Sequence, residues 1–166
     1  MLVLDVDGVL TNGGLYLNQE GTILRKFNVK DGLGINLLLN NGIEVAFISG
    51  GTGDSISLRA KQLGVRYCLL NIKNKAMAIK KLQEEVGFNR SNTLFLGDDL
   101  NDIVVKPYVS LLVATSDASK SFIKKSNIVL KASGGNGAVR ELVDKILLAK
   151  NLLKPIENKG WLNTNN

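Results

Sequence analysis

Short, continuously apolar runs alternate with longer amphipathic segments along most of the chain. Continuous apolar runs are typical of strands buried on both faces, and the longer segments predict helices. The pattern predicts strands at residues 2–6, 43–48, 65–70, 93–96, 109–114 and 127–130, and helices at residues 31–41, 54–63, 73–86, 116–124 and 138–149. This alternation predicts an α/β fold, a doubly wound and mostly parallel sheet with helices on both faces.

Two short β-prone segments, residues 14–18 and 22–27, follow the first strand and flank the sequence Gln19-Glu20-Gly21. Turn residues between β-prone segments predict a hairpin. Its place after the first strand leaves two interpretations open, an ordinary edge hairpin or a flap over a pocket. The chain holds no insertion large enough for a lid.

The limits of the first helix and of the domain follow from local signals. Asp31 is predicted to cap the first helix and Gly42 to end it. The length suits one domain, predicted at residues 1–150. Residues 151–166 carry no apolar period and are predicted to form a mobile C-terminal tail. Trp161 in this tail either docks on a neighbouring subunit or is solvated.

The composition narrows the class of protein. Hydrophobic residues make up 45% of the 166 residues, which excludes a disordered chain. Cys68 is the only cysteine and is expected in the core of a cytoplasmic protein. We expect no membrane span and no signal peptide, although the first strand begins so early that a short upstream piece could be missing. The absence of histidine excludes serine–histidine hydrolase chemistry and histidine-ligated zinc.

The formal net charge of +6 leaves nucleic acid as one possible partner. The lysines, however, are spread over the predicted helices and the tail, and aromatic residues make up only 5% of the chain. That distribution favours a solvated basic surface that attracts anionic phosphates. We therefore expect no nucleic-acid partner and no membrane partner.

Two carboxylates, Asp5 and Asp7, stand at the end of the first predicted strand, where Gly8 allows a sharp turn. Asp-Gly alone is a common turn pair. Burying two acids beside an aliphatic strand is costly unless a cation neutralises them, and oxygen ligands suit Mg²⁺. Because the chain leaves the strand between the two acids, they can face different directions and take different roles.

Polar residues also follow later elements of the predicted sheet. Ser49 follows the second strand, Lys75 stands near the start of a helix, and Asp98, Asp99 and Asp102 follow the fourth strand. Each has a plain structural explanation, as a turn serine, a solvated lysine or a capping acid. Ligands of open parallel sheets bind beyond the carboxyl ends of the strands, so the order of these residues favours a single site.

This order resembles the four motifs of the haloacid dehalogenase superfamily of phosphohydrolases, which implies a Rossmann-like fold and phosphoryl transfer. A carboxylate can attack phosphorus without histidine, so Asp5 is the predicted nucleophile. Asp7 is the predicted general acid and base. Ser49, with the Gly50 backbone N–H, is predicted to bind phosphoryl oxygens, and Lys75 to neutralise charge in the transition state.

Phosphate beside several acids requires a divalent cation, and Mg²⁺ is the predicted cofactor. Asp5 and Asp98 are its predicted carboxylate ligands. The resemblance adds the backbone carbonyl of Asp7 as a third protein ligand. Asp102 is predicted to contact the metal ligands rather than the ion itself, and Asp99 to contact metal-bound water.

Residues 27–35, 97–102 and 134–141 resemble the corresponding stretches of 3-deoxy-D-manno-octulosonate 8-phosphate phosphatases. The likeness extends to about residue 150, and the family includes phosphatases of nine-carbon sialic-type sugars. It implies a small phosphorylated sugar acid as substrate and a role in lipopolysaccharide biosynthesis. It also implies a capless homotetramer, in which a neighbouring subunit and the hairpin close the site.

Two departures from that family concern the substrate. Gly51 and Asn136 stand where its octulosonate members carry arginine, the natural bidentate partner of a carboxylate. Arg59 matches a family arginine that reaches the substrate carboxylate, with a surface helix arginine as the alternative, and Lys30 is a candidate at the flap. The departures leave a non-catalytic or regulatory subunit open, and motifs alone also allow a phosphomutase or nucleotide phosphatase.

Overall fold

The computed structural model describes residues 1–160, and its regular elements follow the predicted alternation of strands and helices. In chain order they are β1 (Leu2–Leu4), β2 (Tyr16–Leu17), β3 (Ile23–Leu24), α1 (Val29–Asn40), β4 (Val45–Ile48), α2 (Asp54–Gln62), β5 (Tyr67–Leu69), α3 (Lys75–Val86), β6 (Leu94–Gly97), β7 (Leu111–Ala114), α4 (Lys120–Ile123), β8 (Ile128–Val129), α5 (Ala138–Ala149) and α6 (Leu153–Lys159), with 3₁₀ helices at Arg90–Asn92 and Leu100–Tyr108.

Six strands form one sheet in the order β5-β4-β1-β6-β7-β8, and every neighbouring pair is parallel. The chain builds outward from β1 on one side and from β6 on the other. The strand order therefore reverses between β1 and β6, which places the ligand-binding edge at their carboxyl ends. The predicted doubly wound α/β fold is confirmed.

Apolar side chains of the strands feed two cores, one on each face of the sheet. Leu2 and Leu4 of β1 face the core covered by α1, α2 and α5. Val3 faces the core covered by α3, α4 and the second 3₁₀ helix. Successive side chains of a strand point to opposite faces, so a run apolar at every position must be covered on both sides.

The hairpin is present, and β2 pairs with β3 in antiparallel fashion outside the main sheet. The hairpin contacts the rest of the protein at α2, where the Ser55 hydroxyl donates to the Ile23 carbonyl at 3.3 Å. The described residues contain no inserted second domain between these elements. None of the described helices combines the length and the apolar character that crossing a membrane requires.

The predicted cap of the first helix is wrong. Asn28 caps α1, because its side chain accepts a hydrogen bond from the Lys30 backbone N–H at 2.8 Å. Asp31 lies within the first turn of α1 and is buried. Its carboxylate instead accepts from the Arg140 backbone N–H at 2.8 Å. Asp31 therefore caps α5, whose own N-cap residue, Gly137, has no side chain to do so.

Two further boundaries differ from prediction. The helix predicted at residues 116–124 is only α4, capped by Ser119. The sequence predicted no apolar pattern after residue 150. This prediction is wrong for α6, where Leu153 and Ile156 pack against the core. Pro155 is tolerated there because it stands in the first turn. Trp161 lies outside the described residues, and the domain limits stay a prediction.

Candidate active site

Asp5 and Asp7 leave β1 on the two sides of a tight turn. The Asp5 backbone N–H still donates to the Leu96 carbonyl of β6 at 3.0 Å, so Asp5 extends the sheet by one residue. Gly8 then adopts a φ of 91°, a conformation that favours glycine. A Cβ at this position would also collide with the Asp98 carboxylate. Gly8 thus allows the acids that follow β1 and β6 to approach each other.

Lys75 is the buried cation of the site. Its Nζ lies 2.6 Å from Asp5 Oδ1 and 2.6 Å from Asp102 Oδ1, and its side chain is 2% exposed. Lys75 is the first residue of α3, a helix end that disfavours positive charge. Burial opposes its charge further, but Asp5 and Asp102 outweigh that effect and raise the pKa of Lys75. The two carboxylates therefore hold the lysine in place and keep it charged.

Three carboxylates converge at this point. One oxygen from each of Asp5, Asp98 and Asp102 lies within 4.8 Å of the others. Burial and the charges of Asp5 and Asp102 raise the pKa of Asp98 to about 8. Burial and Asp102 raise the pKa of Asp5 to about 6, although Lys75 acts in the opposite direction. With all three carboxylates ionised, the single ammonium of Lys75 leaves the cluster with an excess of negative charge.

The hydrogen bonds separate the roles of the three acids. Asp102 Oδ1 accepts from Lys75, and its Oδ2 accepts from the Asp98 backbone N–H at 3.0 Å. Both oxygens of Asp102 are thus already engaged by protein donors. Asp5 and Asp98 retain oxygens that face the cavity, and hard oxygen ligands with excess negative charge fit a small divalent cation such as Mg²⁺. Asp99 lies on the rim, where its side chain caps the 3₁₀ helix.

Ser49 stands directly after β4 and faces the acids. Its Oγ accepts from the Gly51 backbone N–H at 3.0 Å, which leaves its own O–H free to donate. Gly50 lines the same cavity with its backbone exposed. A hydroxyl and main-chain N–H groups at a loop after a strand are suitable donors for the oxygens of a phosphoryl group.

The cavity at this edge of the sheet has a volume of about 270 Å³. Lys75 and Asp102 lie beneath it. Asn101 lines it without having been singled out from the sequence, and Gly51, noted there only as a departure from the family pattern, lines it as well. Its full lining is Asp5, Asp7, Ser49, Gly50, Gly51, Asp98, Asp99 and Asn101.

Two predicted substrate-binding residues lie outside this lining. Arg59 donates from Nη2 to the Asn28 carbonyl at 3.3 Å and stacks over the Phe27 ring at 5.9 Å. Burial lowers the pKa of Arg59, and Asp31 partly offsets that effect. Lys30 is exposed in the first turn of α1. Both roles toward a substrate stay predictions.

Arg25 is a residue of the site that the sequence did not reveal. Its Nε lies 2.6 Å from Asp7 Oδ1, and its side chain is 2% exposed. The hairpin that carries Arg25 was predicted as a possible flap, but nothing local marks one hairpin cation as buried. The neighbouring Lys26, for example, is exposed.

Comparisons with known proteins agree with this geometry. The family model of haloacid dehalogenase-like hydrolases matches residues 70–142. The 3-deoxy-D-manno-octulosonate 8-phosphate phosphatase of Escherichia coli (strain K12) is 40% identical over 160 residues, which cover 96% of this chain and 84% of the relative. The corresponding phosphatase of Yersinia pestis is 37% identical over 154 residues, with 93% of this chain and 82% of the relative covered.

Two solved structures carry ligands. The phosphatase of Moraxella catarrhalis, in complex with a magnesium ion, a phosphate ion and a KDO molecule, has a TM-score of 0.93 and 31% identity, covering 96% of this chain and 92% of that one. The cobalt-bound phosphatase of Haemophilus influenzae has a TM-score of 0.89 and 34% identity, covering 92% of this chain and 89% of that one. With the cluster of acids at the switch point of a parallel sheet, these relationships show that the chain belongs to the haloacid dehalogenase-like hydrolases, in the same family as the 3-deoxy-D-manno-octulosonate 8-phosphate phosphatases just described.

Proposed function

We propose that the chain is a Mg²⁺-dependent phosphatase that hydrolyses a small phosphorylated sugar acid of the 3-deoxy-D-manno-octulosonate 8-phosphate kind. The observation that carries the proposal is the meeting of Asp5, Asp7, Asp98 and Ser49 around one cavity, with Lys75 buried beneath it. These residues come from the ends of three neighbouring strands and the start of a helix.

In the first chemical step, Asp5 attacks phosphorus and the bond from phosphorus to the sugar oxygen breaks. Asp7 gives its proton to the departing alkoxide, so the sugar acid leaves with a neutral hydroxyl group at that carbon. Asp5 then carries the phosphoryl group as an acyl phosphate. In the second step Asp7 takes a proton from water, the water oxygen attacks phosphorus, and phosphate and the free Asp5 carboxylate result.

The remaining residues hold the phosphoryl group. Ser49 and the Gly50 backbone N–H donate to its oxygens, and Lys75 offsets the negative charge that Asp5 and Asp102 bring to the site. Asp5, Asp98 and the Asp7 backbone carbonyl are the proposed protein ligands of Mg²⁺. When bound, Mg²⁺ supplies the positive charge that lets a phosphate dianion approach several carboxylates.

A substrate panel tests the proposal. We expect phosphate release from 3-deoxy-D-manno-octulosonate 8-phosphate to exceed release from simple hexose phosphates, and to stop in EDTA and return with added Mg²⁺. A preference for nine-carbon acid phosphates would instead indicate a phosphatase of sialic-type sugar phosphates. Sugar binding without any phosphate release would instead support a regulatory subunit, and release that survives EDTA would contradict the metal-dependent mechanism.

We also propose that the chain forms a homotetramer through its hairpin. The cavity is open to solvent, Asp7 in its lining contacts Arg25 of the hairpin segment, and the described residues include no cap to close it. The hairpin also exposes an unusual amount of apolar surface for its length, because Leu17 is 68% and Leu24 57% exposed. An exposed apolar patch of this kind marks an interaction site, and a second copy presents the same patch.

Light scattering at micromolar concentration should therefore give the mass of a tetramer. Replacing Leu17 and Leu24 together by Ser should reduce the mass, because the change removes apolar area from the proposed interface. Leu148→Ser is a matched control, since Leu148 is 57% exposed on α5. A monomeric unmodified protein, or dissociation by the control, would argue against assembly through the hairpin.

A further inference from the structure

We propose that Arg25 is a positioning residue that aims the Asp7 carboxylate at the leaving-group oxygen, and that Gly51 provides the space for it to do so. The inference rests on the proposed phosphatase function. It goes further because Arg25 belongs to none of the motifs from which that function was predicted.

The contact between the two side chains is bidentate. Arg25 Nε donates to Asp7 Oδ1 at 2.6 Å, and Arg25 Nη2 donates to Asp7 Oδ2 at 3.2 Å. A guanidinium that grips both oxygens fixes the plane of the carboxylate as well as its position. The Arg25 side chain is 2% exposed, whereas that of Asp7 is 30% exposed and lines the cavity. Asp7 is therefore held from behind and presented to the cavity.

The other end of the guanidinium is anchored to the protein body. Arg25 Nη1 donates to the Thr52 carbonyl at 3.1 Å and contacts Ser55 Oγ at 3.5 Å. Thr52 belongs to the loop after β4, and Ser55 to the first turn of α2. The guanidinium thus joins the hairpin, the Asp7 turn and the loop that carries Ser49.

These partners favour a positioning role over substrate binding. Nε, Nη1 and Nη2 of Arg25 each have an oxygen partner in the protein. Because the side chain is also only 2% exposed, it offers little surface to a substrate carboxylate. Lys26, the next residue along the hairpin, is exposed and provides a matched cation that takes no part in the contact.

Gly51 explains how the guanidinium fits. A Cβ at position 51 would lie 2.9 Å from Asp7 Oδ2 and 3.0 Å from Arg25 Nη2. Separations this short would force the two side chains to shift. A methyl group at position 51 therefore tests the arrangement without removing a charge.

The choice of leaving group makes the role measurable. A sugar alkoxide leaves readily only if Asp7 protonates it, whereas nitrophenolate is a stable anion that leaves without a proton. A misaligned Asp7 should slow release of the sugar and spare release of nitrophenolate. Because Asp7 also serves the later attack of water on both substrates, the informative rate is that of leaving-group release in a single turnover.

The test compares Arg25→Gln and Gly51→Ala with Lys26→Gln, using 3-deoxy-D-manno-octulosonate 8-phosphate and p-nitrophenyl phosphate with Mg²⁺ present. We expect sugar release to fall about 10²-fold in the first two variants, the scale of a general-acid contribution, and nitrophenolate release by less than about tenfold. Lys26→Gln should match the unmodified protein. In Arg25→Gln, equal losses with both substrates, or no loss, would overturn the role of Arg25.

A second readout needs no substrate. In metal-free protein, Arg25→Gln should lower Tm more in the unmodified background than in an Asp7→Asn background, because only the former retains the ion pair. Equal decreases in Tm in the two backgrounds would show that the ion pair between Arg25 and Asp7 does not form in solution. If the unmodified protein released neither leaving group, the phosphatase proposal itself would fail, whereas substrate-independent losses in an active enzyme would contradict only the inference on Arg25.

Discussion

Replacing Asp5 by Asn should abolish phosphate release, with a fall of at least about 10⁴-fold, the scale seen when a covalent nucleophile is removed. An amide oxygen is a poor nucleophile toward phosphorus, so the acyl phosphate cannot form in the ordinary way. The fold should survive, because Lys75 keeps its second carboxylate partner, Asp102, at 2.6 Å. Steady-state kinetics on the best substrate of the panel measures the effect.

The control for this change is Asp144→Asn. Asp144 pairs with Arg140 on the surface of α5, remote from the cavity lining, so its loss should leave kcat unchanged. Thermal unfolding followed by circular dichroism should show that both variants are folded. An active Asp5→Asn protein would contradict direct attack by Asp5, and loss of activity in Asp144→Asn would point to a general defect.

Magnesium should stabilise the protein against heat, and more strongly at pH 8 than at pH 5. At a concentration of 100 times its Kd, a ligand adds about 2.7 kcal/mol to the free energy of unfolding. For a chain of this size that corresponds to a rise in Tm of roughly 5–10 °C. Differential scanning calorimetry of metal-free protein, with and without added Mg²⁺, measures the rise.

The pH dependence follows from the acidic cluster. The folded protein raises the pKa of Asp98 from 3.8 to about 8, chiefly through burial and the charge of Asp5. Between those two values the folded state binds more protons than the unfolded state. The free energy of unfolding of the metal-free protein therefore falls as the pH rises through this window. At pH 8 the carboxylates have largely lost their protons, and Mg²⁺ can take the place of these protons. At pH 5 Mg²⁺ has to displace protons that are still bound, so the rise in Tm should be greater at pH 8.

Asp98→Asn should remove most of this response, because it deletes one proposed ligand and one source of repulsion. Asp144→Asn should retain it, since Asp144 lies on the surface of α5. An equal rise in Tm at both pH values would show that the cluster does not bind the ion through ionised carboxylates. The same rise in Asp98→Asn and in the unmodified protein would place the ion elsewhere.

Much of the site could be predicted because its residues carry local signals. Asp5 and Asp7 follow a continuously apolar run and precede a glycine, and Ser49 follows another such run. A polar residue directly after a continuously apolar run marks the carboxyl end of a buried strand, and this signal does not depend on the rest of the chain. Acids and donors at such ends meet once the strands are parallel neighbours, as β1, β4 and β6 are.

Other features were missed because their signals are ambiguous. Asp31 has the sequence context of a cap for its own helix, and only the packing of α1 against α5 reveals that it caps the other helix. Likewise, α6 follows a polar stretch with a proline, and its apolar residues become informative only where they meet the core. A local pattern does not distinguish these cases, since each depends on a partner elsewhere in the chain.

The α/β class of this protein, and the order in which its acids, serine and lysine reach one edge of the sheet, follow from the order of residues along the chain. Which charges compensate one another depends on the folded arrangement. Lys75 meets Asp5 across 70 positions and Asp102 across 27, and Arg25 meets Asp7 across 18. Periodicity reports which side of an element is buried, but not which distant side chain shares that space. Ion pairing depends on distance in space, so only the folded chain selects these partners.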